Sequence, residues 1–102
     1  MRRKRPRSRI EIYADIMLAL DRVGSCDRLS RLALMVGVPY DRLLRYLSEL
    51  RRLGLVRWDS YYGVSLTNDG VNYVIRARGD RDTLVAALTA LVQGVTRAAT
   101  ED

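Results

Sequence analysis

The apolar residues of this chain fall into blocks whose period changes from about 3.6 to about 2 and back again. Ile12, Ile16 and Leu20 form an i, i+4 row flanked by Tyr13 and Met17, which predicts an amphipathic helix to about Arg22. Ser8, with Glu11 three residues later, reads as a capping box at its start, and Gly24 ends it. Between Cys26 and Val36, the positions of Leu29, Leu32, Ala33 and Val36 predict a second, shorter helix. Gly37 supplies the positive φ that a tight turn between helices demands. Pro39 suits the start of a third helix, where a missing N–H costs nothing. Leu43, Leu44, Leu47, Leu50 and Leu53 recur at helical spacing over about Tyr40–Leu53, and Gly54 serves as the left-handed residue that closes this helix.

The period then shortens. Leu55–Trp58 and Gly63–Leu66 flank Asp59–Tyr62 and predict a β-hairpin, to which a segment near Ser25 can add a third strand. Thr67 or Asn68 caps a fourth helix reaching about Arg78. Val74, Ala77, Arg81, Leu84, Leu88, Leu91, Val95 and Ala98 follow with alternating spacings, an a/d seam flawed by Arg81. Gly79 falls outside that seam. Two readings stand: a helix continuous through Gly79, or a break at Gly79-Asp80 with Asp80 capping a fifth helix. In both, Leu84, Leu88, Leu91 and Val95, with Val85 and Val92 beside them, need a partner surface. A second copy of the chain is the expected one.

The expected fold is therefore mainly α with a small β-wing (α+β), a winged helix-turn-helix plus a C-terminal dimerisation helix. Residues 1–8 form a disordered basic arm, 9–78 the winged helix-turn-helix domain, and 79–98 the dimerisation helix. The length of 102 residues allows one modest core.

Composition narrows the chemistry. The chain has no histidine, and Cys26 is its one cysteine, which excludes a disulfide within one chain and a Cys/His zinc site. Clustered carboxylates, a Gly-rich phosphate loop and a nucleophile–base set are all missing from the sequence, so neither an enzyme nor a cofactor is expected. The longest uncharged stretch, residues 83–96, is fourteen residues, too short to span a bilayer. Glu11 and Asp15 interrupt the apolar run that a signal peptide needs. The expectation is a cytoplasmic, nucleoid-associated protein with no membrane partner and no evident small-molecule ligand.

The net charge of +6 is unevenly distributed. Residues 1–9 hold six cations and no acid, and residues 21–57 hold eight arginines against four acids. Residues 58–102 hold four arginines against six acids. Such asymmetry suits a protein with one surface turned toward phosphates.

On helix three, Leu43, Leu44, Leu47 and Leu50 define the apolar face, and Asp41, Arg42, Arg45, Ser48, Glu49 and Arg52 gather opposite. Arg42 and Arg45 lie in the part of a recognition helix that reaches base edges, where an arginine can make a bidentate contact to guanine. Arg52 suits a phosphate, and Tyr40 a phosphate or a base. A solvated face carrying Arg45–Glu49 and Glu49–Arg52 pairs is the plainer reading of the same residues. Tyr46 is expected in the core with its hydroxyl outward. Trp58, Tyr61 and Tyr62 around the hairpin can stack on bases or insert in a groove, but the expected role is to brace the hairpin, whose one cation is Arg57. Arg2, Arg3, Lys4, Arg5, Arg7 and Arg9 are expected on phosphates or in the minor groove.

The run Ser30-Arg31-Leu32, Val38-Pro39-Tyr40, Leu43, Tyr46-Leu47, Leu50, Gly54-Leu55-Val56, Tyr62, Leu66-Thr67 and Gly70 resembles archaeal winged-helix DNA-binding proteins. It is most similar to the small Sulfolobus chromatin-type family, in which a winged helix is followed by a dimerising antiparallel coiled coil. The likeness covers about residues 9–95. It implies a homodimer joined through its C-terminal helices that binds double-stranded DNA through helix three and the wing, with Tyr40, Arg42 and Arg45 at the matching helix positions. Gly79-Asp80 and Arg81 depart from the expected long coil, and the basic arm is more pronounced than the pattern requires. Transcriptional regulation or DNA architecture is the expected function. The alternative is a winged helix used for protein–protein contact in the transcription or replication machinery, which would use the aromatic wing and leave Arg42 and Arg45 solvated.

Overall fold

The computed structural model describes residues 5–100, with side chains described as far as Val95. The expected arm residues Arg2, Arg3 and Lys4 lie outside the described residues, as does the side chain of Ala98. The element order is α1 (Arg9–Val23), β1 (Ser25–Cys26), α2 (Leu29–Val36), α3 (Tyr40–Arg52), β2 (Val56–Asp59), β3 (Gly63–Leu66), α4 (Asn68–Arg76) and α5 (Arg81–Thr100). The result is a mainly helical chain with a small antiparallel sheet of order β1-β3-β2.

Helix α1 begins where the capping box predicts. Ser8 Oγ accepts from the Glu11 N–H at 3.1 Å, and Glu11 Oε1 accepts from the Ser8 N–H at 2.9 Å. It is buried on more than one side, with Ala14 and Ala19 joining Ile12, Tyr13, Ile16, Met17 and Leu20 in the core. A helix apolar nearly all round belongs at the centre of a fold, and α1 touches every other helix and the sheet. Each large side chain buried there contributes roughly 1.5–3 kcal/mol.

The turn between α2 and α3 rests on Gly37, at φ 80° and ψ 43°. Pro39 stands one position before the first residue of α3. At the far end, Gly54 is left-handed at φ 78°, and the Leu55 N–H donates to the Leu50 carbonyl at 3.0 Å, which closes the helix as a Schellman motif.

Strand β1 is the third strand anticipated near Ser25, pairing Ser25 with Ser65 and Cys26 with Val64. On the other side of β3, Trp58 pairs with Val64 and Asp59 with Gly63. Thr67 links three elements: its hydroxyl donates to the Gly54 carbonyl at 2.6 Å and accepts from the Gly70 N–H at 3.1 Å. A side chain at Gly70 would collide with the Leu55 carbonyl, so α4 sits tightly against the chain leaving α3.

The seam breaks at Gly79. Arg78 and Gly79 take φ of 55° and 69°, and Asp80 Oδ2 accepts from the Thr83 N–H and hydroxyl at 2.9 and 2.7 Å. The continuous helix is therefore excluded, and Asp80 caps α5.

The partner of the seam also differs from the expected one. Leu84 and Leu88 are fully buried within the chain, where α5 packs on α1. They are core residues, which corrects their assignment to a dimer seam. An apolar stripe demands a partner surface, and α1 of the same chain supplies it. Leu91 is only partly buried, and Val95 is 50% exposed.

Candidate nucleic-acid interface

Helix α3 presents its basic face outward because its apolar stripe is anchored. Leu43, Leu47 and Leu50 are fully buried, and Tyr46 meets Tyr13 of α1 edge-on at 5.7 Å. The anticipated core position of Tyr46 is the observed one. Tyr40, Asp41, Arg42, Arg45, Ser48 and Arg52 are all exposed, and Tyr40 is 51% accessible. Leu44 is partly exposed on the flank of that face.

The ion pairs of the solvated-face reading are not formed. Among the described residues no salt bridge holds Arg42, Arg45, Arg51 or Arg52. Glu49 is partly buried, and its Oε2 has no hydrogen-bond partner among the described residues. The Arg45 guanidinium instead lies 5.8 Å from the ring centre of Tyr46.

The structure adds Arg51, which the helical pattern did not single out. Arg51 is exposed and shares a depression of about 250 Å³ with Trp58 and Ser60, and a second of about 400 Å³ with Ser48 and Arg52. It therefore joins the basic face of α3 to the hairpin. On a helical projection Arg51 falls between Leu44 and Leu47, and only the position of the hairpin reveals where it points.

The expected arm cations separate into different groups. Arg9 lies in α1, 5.8 Å from the ring centre of Tyr13, and lines a cleft of about 210 Å³ with Arg52, Glu49 and Val95. It thus belongs beside the end of α3. Arg5 pairs with Glu11 at 3.3 Å. Arg7 is held by the fold: its guanidinium donates to Asp15 at 2.9 Å and to the carbonyls of Val36 and Gly37 at 2.8 and 2.7 Å. Those carbonyls end α2 and open the turn into α3, so Arg7 braces that turn and is not part of a free arm.

Asp15 also accepts from Arg81, and this contact explains the flaw in the seam. Arg81 Nε reaches Asp15 Oδ1 at 2.6 Å, and its Nη1 lies 3.5 Å from Glu11 Oε2. The hydrogen bond to Asp15 raises the Arg81 pKa above its ordinary value. The N–H and hydroxyl of Ser8 lower that of Glu11, with Arg5 and Arg81 assisting.

The hairpin carries an exposed Arg57 and a half-buried Trp58. Trp58 packs against the core and braces the hairpin as expected. The two tyrosines do not. Tyr61 and Tyr62 are 82% and 75% exposed and contact each other edge-to-face at 4.9 Å. Consecutive aromatics in a short turn have too little chain to fold back onto the sheet.

Among the described residues no cluster of His, Cys, Asp or Glu could hold a metal ion, and no helix is long and apolar enough to cross a membrane. No family model, no curated protein and no solved structure matches the chain.

Proposed function

We propose that the chain is a winged helix-turn-helix protein that binds duplex DNA as a homodimeric transcriptional regulator or architectural protein. The observation that carries this reading is the outer face of α3, where Arg42, Arg45, Arg51 and Arg52 are exposed without a salt bridge among the described residues. Exposed arginines without acidic partners are available to phosphates and guanine edges. The β1-β3-β2 sheet beside α3 supports the same reading, with β2 and β3 as the wing. It also agrees with the sequence likeness to archaeal winged-helix proteins. In this reading α3 enters the major groove, and the wing and the N-terminal cations follow the flanking backbone.

Dimerisation belongs to the outer end of α5, through the partly buried Leu91 and the exposed Val95. A dimer doubles the phosphate contacts and sets the distance between two half-sites.

The test is a gel-shift titration of the full chain on random-sequence duplex across salt concentrations. A log–log salt slope of several units is expected, roughly 0.9 per neutralised phosphate. Absence of binding at low salt would refute the reading. A protein–protein module is the second reading, and its supporting observation is Leu34, 84% exposed on α2 with Met35 beside it.

A further inference from the structure

The hairpin tip places two large aromatic rings in solvent, and the surrounding geometry fixes the backbone that carries them. Asp59 Oδ1 accepts from the backbone N–H of Tyr61 at 2.6 Å and of Tyr62 at 3.1 Å, so one carboxylate sets the turn. Gly63 follows at φ 88°, and a side chain there would collide with the Cys26 carbonyl, so the returning strand is pressed against β1. The tip is thus a short, tied turn. Presenting its rings to a ligand costs little ordering.

The residues nearby indicate which ligand. The turn offers Asp59, Ser60 and Gly63 around the rings, with no further apolar side chain between Trp58 and Val64 to extend a protein-binding patch. Both rings stand largely in solvent and are not packed into a pocket of the chain itself. Cations lie behind it instead. Arg51 shares its depression with Trp58 and Ser60 and leads on to Ser48 and Arg52. The track reaches Ser60, the residue before Tyr61, and cations beside exposed aromatic rings suit unpaired nucleic acid, with phosphates on the cations and bases on the rings.

We propose that Tyr61 and Tyr62 form a base-stacking site that gives the protein a preference for duplex DNA carrying unpaired bases. The site deepens the DNA-binding reading and rests on it. In uninterrupted duplex the base faces are occupied by neighbouring bases, and exposing one costs a few kcal/mol per step. A gap removes that cost. Stacking by the rings then adds to the affinity already supplied by α3.

The test uses the full chain in fluorescence anisotropy titrations at matched salt. One probe is a fluorescein-labelled, fully paired duplex, and the other is the same duplex with a short single-stranded gap. The native chain is expected to bind the gapped probe about tenfold more tightly. The double variant Tyr61→Ala, Tyr62→Ala is expected to lose that preference, read as the ratio of its affinities for the two probes. The double variant Tyr61→Phe, Tyr62→Phe is expected to keep the preference, because stacking needs the ring and not the hydroxyl. Both changes lie on exposed side chains, and circular dichroism checks that the fold is retained.

Equal affinity of the native chain for the two probes overturns the stacking site while leaving the duplex reading intact, and would point to a protein partner for the tip. Retained gap preference in the alanine variant overturns it too, because the preference would then come from the flexibility of gapped DNA. Loss of preference in the phenylalanine variant replaces stacking with hydrogen bonding. Failure to bind either probe at low salt overturns the DNA-binding reading itself.

Discussion

Arg81 grips Asp15 with two nitrogens, Nε at 2.6 Å from Oδ1 and Nη2 at 3.2 Å from Oδ2, across the contact between α5 and α1. The residue that spoils the apolar seam is therefore the one that fixes how α5 docks. Asp15 is 19% and Arg81 37% exposed at the side chain, so water screens the pair only partly. Arg81→Met is expected to cost about 1–2 kcal/mol, since a charge-assisted bidentate contact is lost while Arg7 still neutralises Asp15. In a domain of this size that lowers Tm by roughly 4–10 °C, read by circular dichroism. An unchanged Tm would mean the pair contributes nothing net.

The caps of α1 and α5 set a pH dependence. Bonds from Ser8 hold the Glu11 carboxyl below its ordinary value of 4.5, and bonds from Thr83 hold that of Asp80 below 3.8. A carboxylate whose folded pKa is depressed contributes stability above its unfolded pKa and loses it as pH falls through the folded value. Tm is therefore expected to be flat above about pH 5 and to fall at lower pH. Glu11→Gln is expected to make the acid limb shallower. An identical acid limb in this variant would exclude Glu11 as a source.

The two ends of α5 are expected to respond differently. Leu88→Ala empties a fully buried site and should cost about 2–5 kcal/mol at every protein concentration. Val95→Arg alters a half-exposed side chain and should leave the core intact, yet give monomers in sedimentation. A dimer that survives Val95→Arg moves the interface away from this end of α5.

On DNA, Arg45→Ala is expected to weaken a preferred site by about 1–3 kcal/mol while sparing random duplex. Arg51→Ala should weaken all sequences alike and lower the salt slope by about 1. Equal losses on specific and random DNA for Arg45→Ala would make it a phosphate contact.

Arg7 and the first four residues are expected to separate cleanly. Deleting residues 1–4, which hold Arg2, Arg3 and Lys4, should flatten the salt slope by up to about 3. Arg7→Ala should lower Tm, because the Val36 and Gly37 carbonyls lose their donor. A Tm unmoved by Arg7→Ala would show that the turn stands without it.

Local chemistry made much of the fold legible. Ser8 with Glu11, Gly37, Gly54 and Thr67 act within a few residues of themselves, and each closes or opens an element where the sequence places it. The partner of the C-terminal seam was not legible. Heptad spacing reports that a surface must be covered but not by which chain, and here α1 covers Leu84 and Leu88. Arg7 and Arg81 were misread for the same reason, since their acceptors lie 29 and 66 residues away. In the candidate site, the exposed arginines of α3 follow from periodicity. Arg51 does not, because its importance depends on a hairpin that periodicity cannot position.

The anchoring of Arg7 also limits distance. With its guanidinium fixed at the turn before α3, the chain back to Arg2 extends at most about 17 Å, at roughly 3.4 Å per residue. Duplex DNA carries one phosphate charge per about 1.7 Å of axis, so on a bound duplex that span corresponds to roughly ten charges. Under the DNA-binding proposal, the cations of Arg2, Arg3 and Lys4 would therefore meet phosphates close to the turn before α3.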